Sequence, residues 1–570
     1  MRYTKAAIKA ILWTALILLL LPIGASAAKI ESLWVTKVIP GGTALQTAEG
    51  KPLDAVNWWY SNREKIYYLF LPAGAKAEDL RIWFTGIESI NVNGKDVNSG
   101  SAVDFLVPGT SHDLTADKNT YTLKVLQSAN VPALFLSTES GSVEGIHKSK
   151  RNEETGNLAI LHADGSVSYD GKLAQIKGRG NASFAFPKKP YQIKLDKSTD
   201  LFGLGKAKTW ILLADYQDNS LMRNNIAFVL ADAVGLSYTS RFQSVDVYVN
   251  NEYRGTYLLC EKVEIGPNRI AINDLEEDTE AVNDAPLNTY PTFGSMGYHF
   301  GKNKGINIPN NPDDITGGYI LELDYAERYK KEPSGFATTR GQPITIKEPE
   351  SASRAQAAYI STFMQGFENA IFSKDGIDPK SGKRYSEFVD MDSLVKKYLV
   401  EEILKNYDSN RSSLYFYKPS DEESKLAFAG PVWDYNSSMG NVANERNQRM
   451  INPEYFSANN DRGETYYWLP ALYKQPDFKE QAIKTYHEVF VPVLDELLGN
   501  REQVGGSLRT IEDMAAELEA SAAMNFTRWP VFNAESRPVK TGKDYWENIA
   551  YVKNFLIKRM VFLAENWILE

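Results

Sequence analysis

The sequence predicts an α+β protein that combines small β-sheets with long helices. Between residues 30 and 126, short strand-like runs such as "KIYYLFLP" and "LRIWFTG" alternate with Pro and Gly turns. After residue 130, strands and helices mix without the regular strand-helix alternation of a parallel α/β fold. In the last third of the chain, apolar residues recur at helical spacing over long stretches.

Length and composition limit the classes of protein. With 570 residues the chain is too long for one ordinary core, and 43% hydrophobic with 24% charged residues is typical of folded proteins. The net charge of -9 argues against a nucleic-acid partner, because nucleic-acid binders present a basic surface. Cys260 is the single cysteine. It lies in "TYLLCEKV" and is predicted to be a buried apolar residue, which excludes an internal disulfide and disfavours a catalytic thiol.

The first 27 residues have the pattern of a secretory signal peptide. Three basic residues precede an apolar run over residues 10–23, and Ala25 and Ala27 supply the A-x-A cleavage pattern. An uncleaved N-terminal anchor is the alternative, although the run is short for a bilayer span. No later segment is long and apolar enough to cross a membrane. We therefore expect a secreted, extracytoplasmic protein with no stable membrane span.

Residues 28–128 are predicted to form a β-sandwich accessory domain. The strands are short and evenly spaced, and Asn93-Gly94 is a strong hairpin signal. No metal-binding or acid-base cluster stands out in this region. A cell-wall or surface ligand is the partner that such a module could have.

Residues 129–570 are predicted to form the second, larger domain. A hairpin should turn at Asn250-Asn251. Residues 273–312 are poor in apolar side chains, which favours a long mobile insertion. Helices are predicted over residues 220–234, 353–372, 391–406, 478–498 and 545–567.

Two aspartates mark the ends of a predicted β-hairpin. Asp408 follows the helix 391–406, and Asp434 follows the strand-like run "KLAFAGPVW". Both carboxylates could return to the same end of the hairpin, where oxygen ligands suit Mg²⁺ or Mn²⁺. The alternative is that each aspartate only caps a turn.

An upstream glycine-bearing turn favours the first interpretation. In "IKGRGNASFAFPKKPYQIKL", Gly178 and Gly180 permit close approach to an anion, and Arg179 adds a bidentate donor. Lys194 lies on the strand that follows, opposite to the face of its apolar neighbours. A glycine turn, a strand lysine and two later aspartates are the groups that phosphoryl transfer requires. The P-loop pattern is absent, and Gly-Arg-Gly alone is also common in ordinary turns.

Several longer motifs resemble the CotH family, which is named for a spore coat protein. They are "KGRGNASF", "WILLADYQDNSLMRNNIAFVLADAVGL", "VDVYVNNEYRGTYLLCEKVEIGPNRI", "GGYILELD", "KNYDSN" and "GPVWDYNSSMGN". The resemblance runs in order from about residue 131 to residue 567. It implies an atypical protein-kinase-like fold and the use of ATP with Mg²⁺ or Mn²⁺ to phosphorylate serines of secreted or coat proteins.

The resemblance assigns roles to the two aspartates. Asp408 would be the catalytic residue that orients the acceptor hydroxyl, and Asp434 would bind the metal. The family pattern W-D-F-D reads Trp-Asp-Tyr-Asn here, so Asn436 replaces a carboxylate. Ser413 stands where ordinary kinases carry a metal-binding asparagine, which leaves Asn410 or Asn436 as candidate second metal ligands.

The resemblance also implies a phosphate-contacting lysine. Lys194 is the first candidate for that part, together with the glycine turn as the nucleotide-binding segment. Lys188 and Lys189 of "PKKPY" compete for it.

Two further groups are implied to lie near the nucleotide. Arg223 and Asn224 would begin a helix that faces the nucleotide, where Arg223 would either contact phosphate or hold a carboxylate. Glu261 would be the ion-pair partner of the lysine, with a salt bridge to Lys262 or Arg254 as the alternative.

The leading functional hypothesis is therefore an extracytoplasmic Ser/Thr protein kinase of the CotH type. The alternative is a catalytically weak or inactive protein of the same fold that binds cell-wall, spore-coat or host ligands. A glycan hydrolase is the third hypothesis, but the glycine turn and lysine have no part in that chemistry.

Overall fold

The computed structural model describes residues 30–295, 297–442, 448–460, 462–500, 508–532 and 542–569. The predicted signal peptide lies outside these residues. In the ranges described, no helix combines the length and apolar character that crossing a bilayer requires.

Two small sheets form the N-terminal region. One has the strand order β2-β1-β5 and the other β3-β4-β9-β8-β6-β7. The strands are β1 (Ser32–Thr36), β2 (Val56–Asn57), β3 (Trp59–Ser61), β4 (Ile66–Leu71), β5 (Arg81–Thr85), β6 (Ser89–Val92), β7 (Lys95–Asn98), β8 (Ser111–Ala116) and β9 (Asn119–Gln127). Both sheets contribute to one hydrophobic cluster, and the predicted turn at Asn93-Gly94 joins β6 to β7 with positive φ at both residues. The β-rich character of this region is as predicted.

The next seven strands close into a barrel with the order β10-β11-β12-β13-β14-β16-β15. They are β10 (Ala133–Thr138), β11 (Glu153–Leu161), β12 (Val167–Gly178), β13 (Tyr191–Asp200), β14 (Lys206–Leu213), β15 (Phe242–Val249) and β16 (Glu252–Glu261). Helix α1 (Glu144–Lys148) follows β10, and α2 (Arg223–Ala233) links β14 to β15. Alternate residues such as Ile193 and Leu195 fill the interior.

The N-terminal sheets pack directly onto this barrel. Barrel residues Phe135, Tyr248 and Tyr253 belong to the same hydrophobic cluster as the N-terminal sheets. The predicted Asn250-Asn251 turn is present, and the Asn251 amide donates to three backbone carbonyls of residues 52, 53 and 55 at 3.0–3.2 Å. The two regions therefore share a core.

A seven-stranded sheet with the order β17-β18-β20-β21-β19-β22-β23 follows. Its strands are β17 (Thr292–Phe293), β18 (Asn303–Ile306), β19 (Tyr319–Leu323), β20 (Gly335–Ala337), β21 (Pro343–Glu348), β22 (Leu414–Lys418) and β23 (Phe428–Ala429). Helix α3 (Leu275–Ala281) precedes β17, and the short helix α4 (Ala326–Tyr329) lies between β19 and β20.

Residues 273–312, predicted to form a long mobile insertion, contain short regular elements. This segment contains α3, β17 and β18, and its apolar side chains Leu275, Phe293 and Ile306 are buried. Asp274 caps α3 by accepting from the backbone N–H groups of Glu276 and Glu277. A few well-placed apolar residues and a cap order the segment despite its polar composition.

Helices cover the remainder of the chain. They are α5 (Arg354–Phe372), α6 (Met391–Leu404), α7 (Gln448–Ile451), α8 (Trp468–Tyr473), α9 (Pro476–Thr485), α10 (Val491–Leu497), α11 (Ile511–Arg528) and α12 (Tyr545–Asn566). The helices predicted over residues 353–372, 391–406 and 545–567 are confirmed. Ser353 caps α5 in a capping box with Gln356.

The helix predicted over residues 478–498 is interrupted. A π-helical turn, Tyr486–Phe490, separates α9 from α10. In an unbroken α-helix, the backbone N–H of residue 492 would donate to the carbonyl of Glu488. Pro492 has no N–H, which gives a physical reason for the wider π-helical turn.

Candidate active site

A central cleft of about 450 Å³ lies where the barrel meets the seven-stranded sheet. Six acidic and seven basic side chains line it. The acidic ones are Asp215, Glu322, Asp324, Glu332, Asp408 and Asp434. The basic ones are Lys150, Arg151, Lys177, Arg179, Lys188, Arg328 and Lys347. So many charges of both signs suit a ligand that carries phosphates and a cation.

The predicted glycine turn forms one wall of the cleft. Gly178 ends β12, and a Cβ there would meet the Phe184 ring and the carbonyl of Ile146. Gly180 has φ +88°, which favours glycine. The Arg179 backbone N–H donates to Pro190 at 3.0 Å, and its guanidinium lies 5.5 Å from the Trp433 ring centroid. The turn thus places Arg179 beside the segment that carries Asp434.

Of the three lysines considered for the phosphate contact, Lys188 lines the cleft, and Lys189 and Lys194 do not. Lys194 is exposed on β13, because strand alternation turns it away from the barrel interior, and it does not line the cleft. Lys188 is buried and lines the cleft. Its ammonium group donates to the Thr256 carbonyl and to Asn525 Oδ1, the latter at 2.9 Å.

Asp408 lies in the turn that follows α6. Lys405 ends the helix in the left-handed region, with φ 50°. The Tyr325 hydroxyl donates to Asp408 Oδ1 at 2.7 Å, and the Asp408 backbone N–H donates to Asn406 Oδ1 at 3.2 Å. These bonds hold the carboxylate at the cleft in a fixed orientation.

Asp434 reaches the same cleft from the segment after β23. It has φ 66°, a strained conformation for a residue with a side chain. The Tyr407 backbone N–H donates to Ser437 O at 3.0 Å and so ties the two aspartate segments together. Burial raises the pKa of Asp434 to about 6, and the nearby Asp408 carboxylate adds to the rise.

Asn224 connects Asp434 to a third carboxylate, Asp215. The Asn224 amide donates to Asp215 Oδ1 at 2.7 Å, and its carbonyl oxygen accepts from the Tyr435 backbone N–H at 2.8 Å. Burial, followed by the nearby Asp218 carboxylate, raises the pKa of Asp215 to about 7. One asparagine at the start of α2 therefore positions two carboxylates on the cleft wall.

Two more carboxylates enter from β19 and the residue after it. Glu322 and Asp324 both line the cleft. Arg328 lies 4.0 Å from Asp324, and Lys347 lies 3.8 Å from Glu322. Burial, with Glu322 adding, raises the pKa of Asp324 to about 7. Their only signal in the sequence is two acidic residues at the end of the apolar run "GGYILELD".

The two candidate metal asparagines differ in position. Asn436 lines the cleft next to Asp434. Asn410 does not line it, and both ends of its buried side chain are engaged, with Ala458 O at 2.9 Å and the Leu469 N–H at 2.9 Å. Asn410 therefore joins the Ala458 segment to the start of α8, away from the cleft.

Arg223 and Glu261 also lie outside the cleft lining. Arg223 is buried, pairs with Asp218 and donates to Ser438 O at 2.9 Å, so it supports the Asp434 segment from behind. Glu261 binds Arg241 at 3.0 Å and Arg269 at 2.6 Å. Neither the predicted lysine nor the alternatives Lys262 and Arg254 are its partners.

The chemistry of the cleft fits a divalent cation held together with phosphates. Within the described ranges, no three His, Cys, Asp or Glu side chains are grouped so as to hold a metal ion by themselves. Mg²⁺ beside a nucleotide usually takes one or two protein carboxylates and completes its shell with phosphates and water. Asp434, with Asp215 and the amide of Asn436 on the same cleft, can supply that smaller set.

Comparisons with known proteins agree with the motifs. No curated protein matches the chain. Among solved structures, a candidate glycoside hydrolase from Bacteroides thetaiotaomicron is similar at 14% identity, over 55% of this chain and 74% of that one. Its TM-score is 0.12, so this likeness carries no conclusion about fold or activity. The family model described as CotH kinase protein matches residues 176–563, which is more than half of the chain. The chain belongs to the CotH family.

Proposed function

We propose that this protein is a Ser/Thr protein kinase with an atypical kinase-like fold, which uses ATP and Mg²⁺ or Mn²⁺. The observation that carries the proposal is the meeting of two distant parts of the chain at one cleft. The β12-β13 connection supplies the Gly178–Gly180 turn and Lys188, and the β22-β23 hairpin is flanked by Asp408 and Asp434. Phosphoryl transfer needs these groups together: donors for the phosphates, a carboxylate for the acceptor and a carboxylate for the metal.

Asp408 is the proposed catalytic residue. Its carboxylate would accept the proton of a serine or threonine hydroxyl as the oxygen attacks the γ-phosphorus and the bond to the β-phosphate breaks. The Tyr325 hydroxyl occupies one carboxylate oxygen, Oδ1, at 2.7 Å. Oδ2 is the oxygen left for the acceptor.

Arg179 and Lys188 are the proposed phosphate contacts. Arg179 lies over the Trp433 ring beside Asp434, and Lys188 is buried in the same wall. The metal, when bound, would neutralise phosphate charge in the transfer step. Asp434 and Asn436 are the proposed metal ligands, and Asp215 supplies a carboxylate close to them.

The acceptor is proposed to be a secreted or surface protein. This part depends on residues 1–27 acting as a signal peptide. Phosphorylation would then take place before release or with exported nucleotide.

The test is transfer of label from γ-labelled ATP in the presence of Mn²⁺ or Mg²⁺, followed by mass spectrometry of the modified residues. We expect label on the protein itself or on a serine-rich acceptor. Asp408→Asn and Asp434→Asn should each remove it. Asp117→Asn is the matched control, because Asp117 is also an aspartate with positive φ, but lies in the exposed β8-β9 turn.

Absence of label in the parent protein, together with no thermal shift from ATP and Mn²⁺, would contradict the proposal. The inactive ligand-binding protein of the same family would then be the better interpretation. Label that survives in both cleft variants would show that another site carries the activity.

A further inference from the structure

A second cavity, of about 480 Å³, lies where the N-terminal sheets meet the barrel. No residue lines both this cavity and the central cleft. Its walls come from three parts of the fold: the N-terminal sheets, β16 and the end of α11. We call it the aromatic groove and define it by Trp58, Trp59, Tyr60, Tyr67, Glu252 and Arg528.

Aromatic rings in the groove are fixed in place but incompletely covered. Trp59, Tyr60 and Tyr67 are each partly exposed. Trp59 is held by Tyr68 and Phe70, with ring centroids 5.9 and 6.3 Å apart, and Tyr60 lies 4.6 Å from Tyr67. Such rings offer apolar faces with polar edges to a ligand, and little side-chain entropy is lost on binding.

Two hydrogen-bond donors in the groove have no partner in the part of the chain that the structure describes. The Trp58 side chain is only 7% exposed, and its indole N–H makes no hydrogen bond. Arg528 makes no hydrogen bond or ion pair there, and its guanidinium lies between the rings of Trp59 and Trp529 at 5.0 and 4.2 Å. The Trp58 nitrogen is fully buried, whereas Arg528 is partly exposed on the groove wall, so its guanidinium is open to a ligand with acceptor oxygens.

The charges around the groove disfavour a strongly charged ligand. Lys51 and Arg528 are countered by Glu31 and Glu252, all on the groove wall. Glu252 is itself paired with Arg254 at 2.8 Å. A polyanion would meet two carboxylates and a polycation two basic groups. Hydroxyl groups, which both donate and accept, match this mixed lining.

A bound peptide strand fits less well. The edge strand of the six-stranded sheet that lines the groove is β3, which has only three residues. An added strand would gain few backbone hydrogen bonds from so short an edge. Stacking rings and scattered polar groups are instead suited to a ring-shaped, hydroxyl-rich ligand.

We propose that the aromatic groove binds a neutral oligosaccharide. Sugar rings would stack on Trp59 and on the Tyr60-Tyr67 pair, and their hydroxyls would accept from the Arg528 guanidinium. The groove is preformed, because the Asn251 amide and the bond from the Asn57 N–H to Asn251 O, at 2.8 Å, join the two halves of its wall. Binding would tether the protein to a glycan while leaving the central cleft open.

The test is calorimetric titration of the full chain with cellohexaose, chitohexaose and mannohexaose, with hexagalacturonate as the charged comparison. We expect at least one neutral hexamer to bind. Trp59→Ala should weaken that binding about tenfold, since a single aromatic contact is worth about that factor. Arg528→Gln, which keeps most of the apolar packing of the side chain, should weaken it about fivefold.

Trp83→Ala is the matched control. Trp83 is 38% exposed in the same N-terminal region and does not line the groove, so its loss should leave binding unchanged. Melting curves of all three variants separate lost binding from lost folding. No binding of any neutral hexamer at millimolar concentration, preference for hexagalacturonate, or binding that both groove variants retain would each overturn the proposal. Asp408→Asn should bind the hexamer normally, because the proposal does not depend on phosphoryl transfer.

Discussion

Buried charges behind the central cleft and inside it are arranged differently. Behind the cleft, Arg223 pairs with Asp218 and Arg559 with Glu402, and all four side chains are at most 1% exposed. Burial alone would raise the pKa of Asp218, but Arg223 and the Ser220 hydrogen bonds outweigh it and hold the pKa below its usual value. These charges are neutralised by the protein itself.

Inside the cleft, Glu322 and Asp324 have basic neighbours, but two other carboxylates lack an ion pair among the described residues. Asp434 has no ion pair among the described residues, and burial raises its pKa to about 6. Asp215 has the Asn224 amide as its hydrogen-bond donor, and burial raises its pKa to about 7. This difference teaches that the protein pairs the buried charges that stabilise its fold, such as Arg223 with Asp218. It leaves Asp434 and Asp215 unpaired, and a cation bound with a nucleotide would balance their charge.

The largest change in the free energy of unfolding is expected when a neutralised pair is broken. Arg223→Met would leave Asp218 buried without its partner and should lower the free energy of unfolding by about 3–5 kcal/mol. Urea unfolding measures this. Lys330→Met removes one half of the exposed Lys330–Glu327 pair and should change stability by less than about 1 kcal/mol. Equal changes in the free energy of unfolding of Arg223→Met and Lys330→Met would contradict the special role of the buried pair.

The unbalanced carboxylates should respond in the opposite direction. Asp434→Asn removes a charge that the cleft does not neutralise, and should raise the free energy of unfolding of the metal-free protein by about 1 kcal/mol. The same substitution should abolish phosphoryl transfer. Thermal unfolding without metal measures the first effect. A destabilisation like that of Arg223→Met would mean that Asp434 is a structural turn residue.

A smaller effect is expected when charge is added to the cleft. Asn436→Asp restores the carboxylate of the family pattern next to Asp434. It should destabilise the metal-free protein by less than about 1 kcal/mol and tighten Mn²⁺ binding several-fold, since ligand charge increases cation affinity. Calorimetric titration with Mn²⁺ measures the affinity. Unchanged affinity would exclude the side chain at position 436 from the metal shell.

A pH-dependent effect is expected for His147 in α1. Burial, together with Arg254 and Lys189, lowers the pKa of His147 from 6.5 to about 4, and its ring shares a hydrogen bond with the Tyr191 hydroxyl at 2.8 Å. Because the folded protein disfavours the protonated ring, this contribution to stability is full above pH 6.5 and is lost as the pH falls towards 4.

His147→Gln should therefore flatten the decline of melting temperature over that range of pH. Asp117→Asn provides the comparison curve. If melting temperature declines with pH in His147→Gln as it does in the parent protein, protonation of the His147 ring does not lower the stability of the fold.

Local features of the sequence determined much of the fold. The φ preferences of Asn250 and Asn251 specify a tight hairpin, and Ser353 with Gln356 specifies where α5 begins. The hairpin pattern between Asp408 and Asp434 correctly returned both residues to one cleft. The residues Gly178, Arg179 and Gly180 and the family motif "KGRGNASF" both identified the glycine turn, which carries no periodic signal.

Side-chain partners and cleft membership were decided by the tertiary structure. Alternation along β13 predicts the face of the strand on which Lys194 lies, but it does not predict which face meets the central cleft. Lys188 is held in place by Thr256 and Asn525, which are far away in the sequence. Asp215 and Asp324 become cleft residues only where the barrel and the seven-stranded sheet meet. Backbone preferences and periodicity act over a few residues, so they can be predicted from the sequence. Charge pairing and cleft formation depend on which distant surfaces pack together, and only the folded chain determines that.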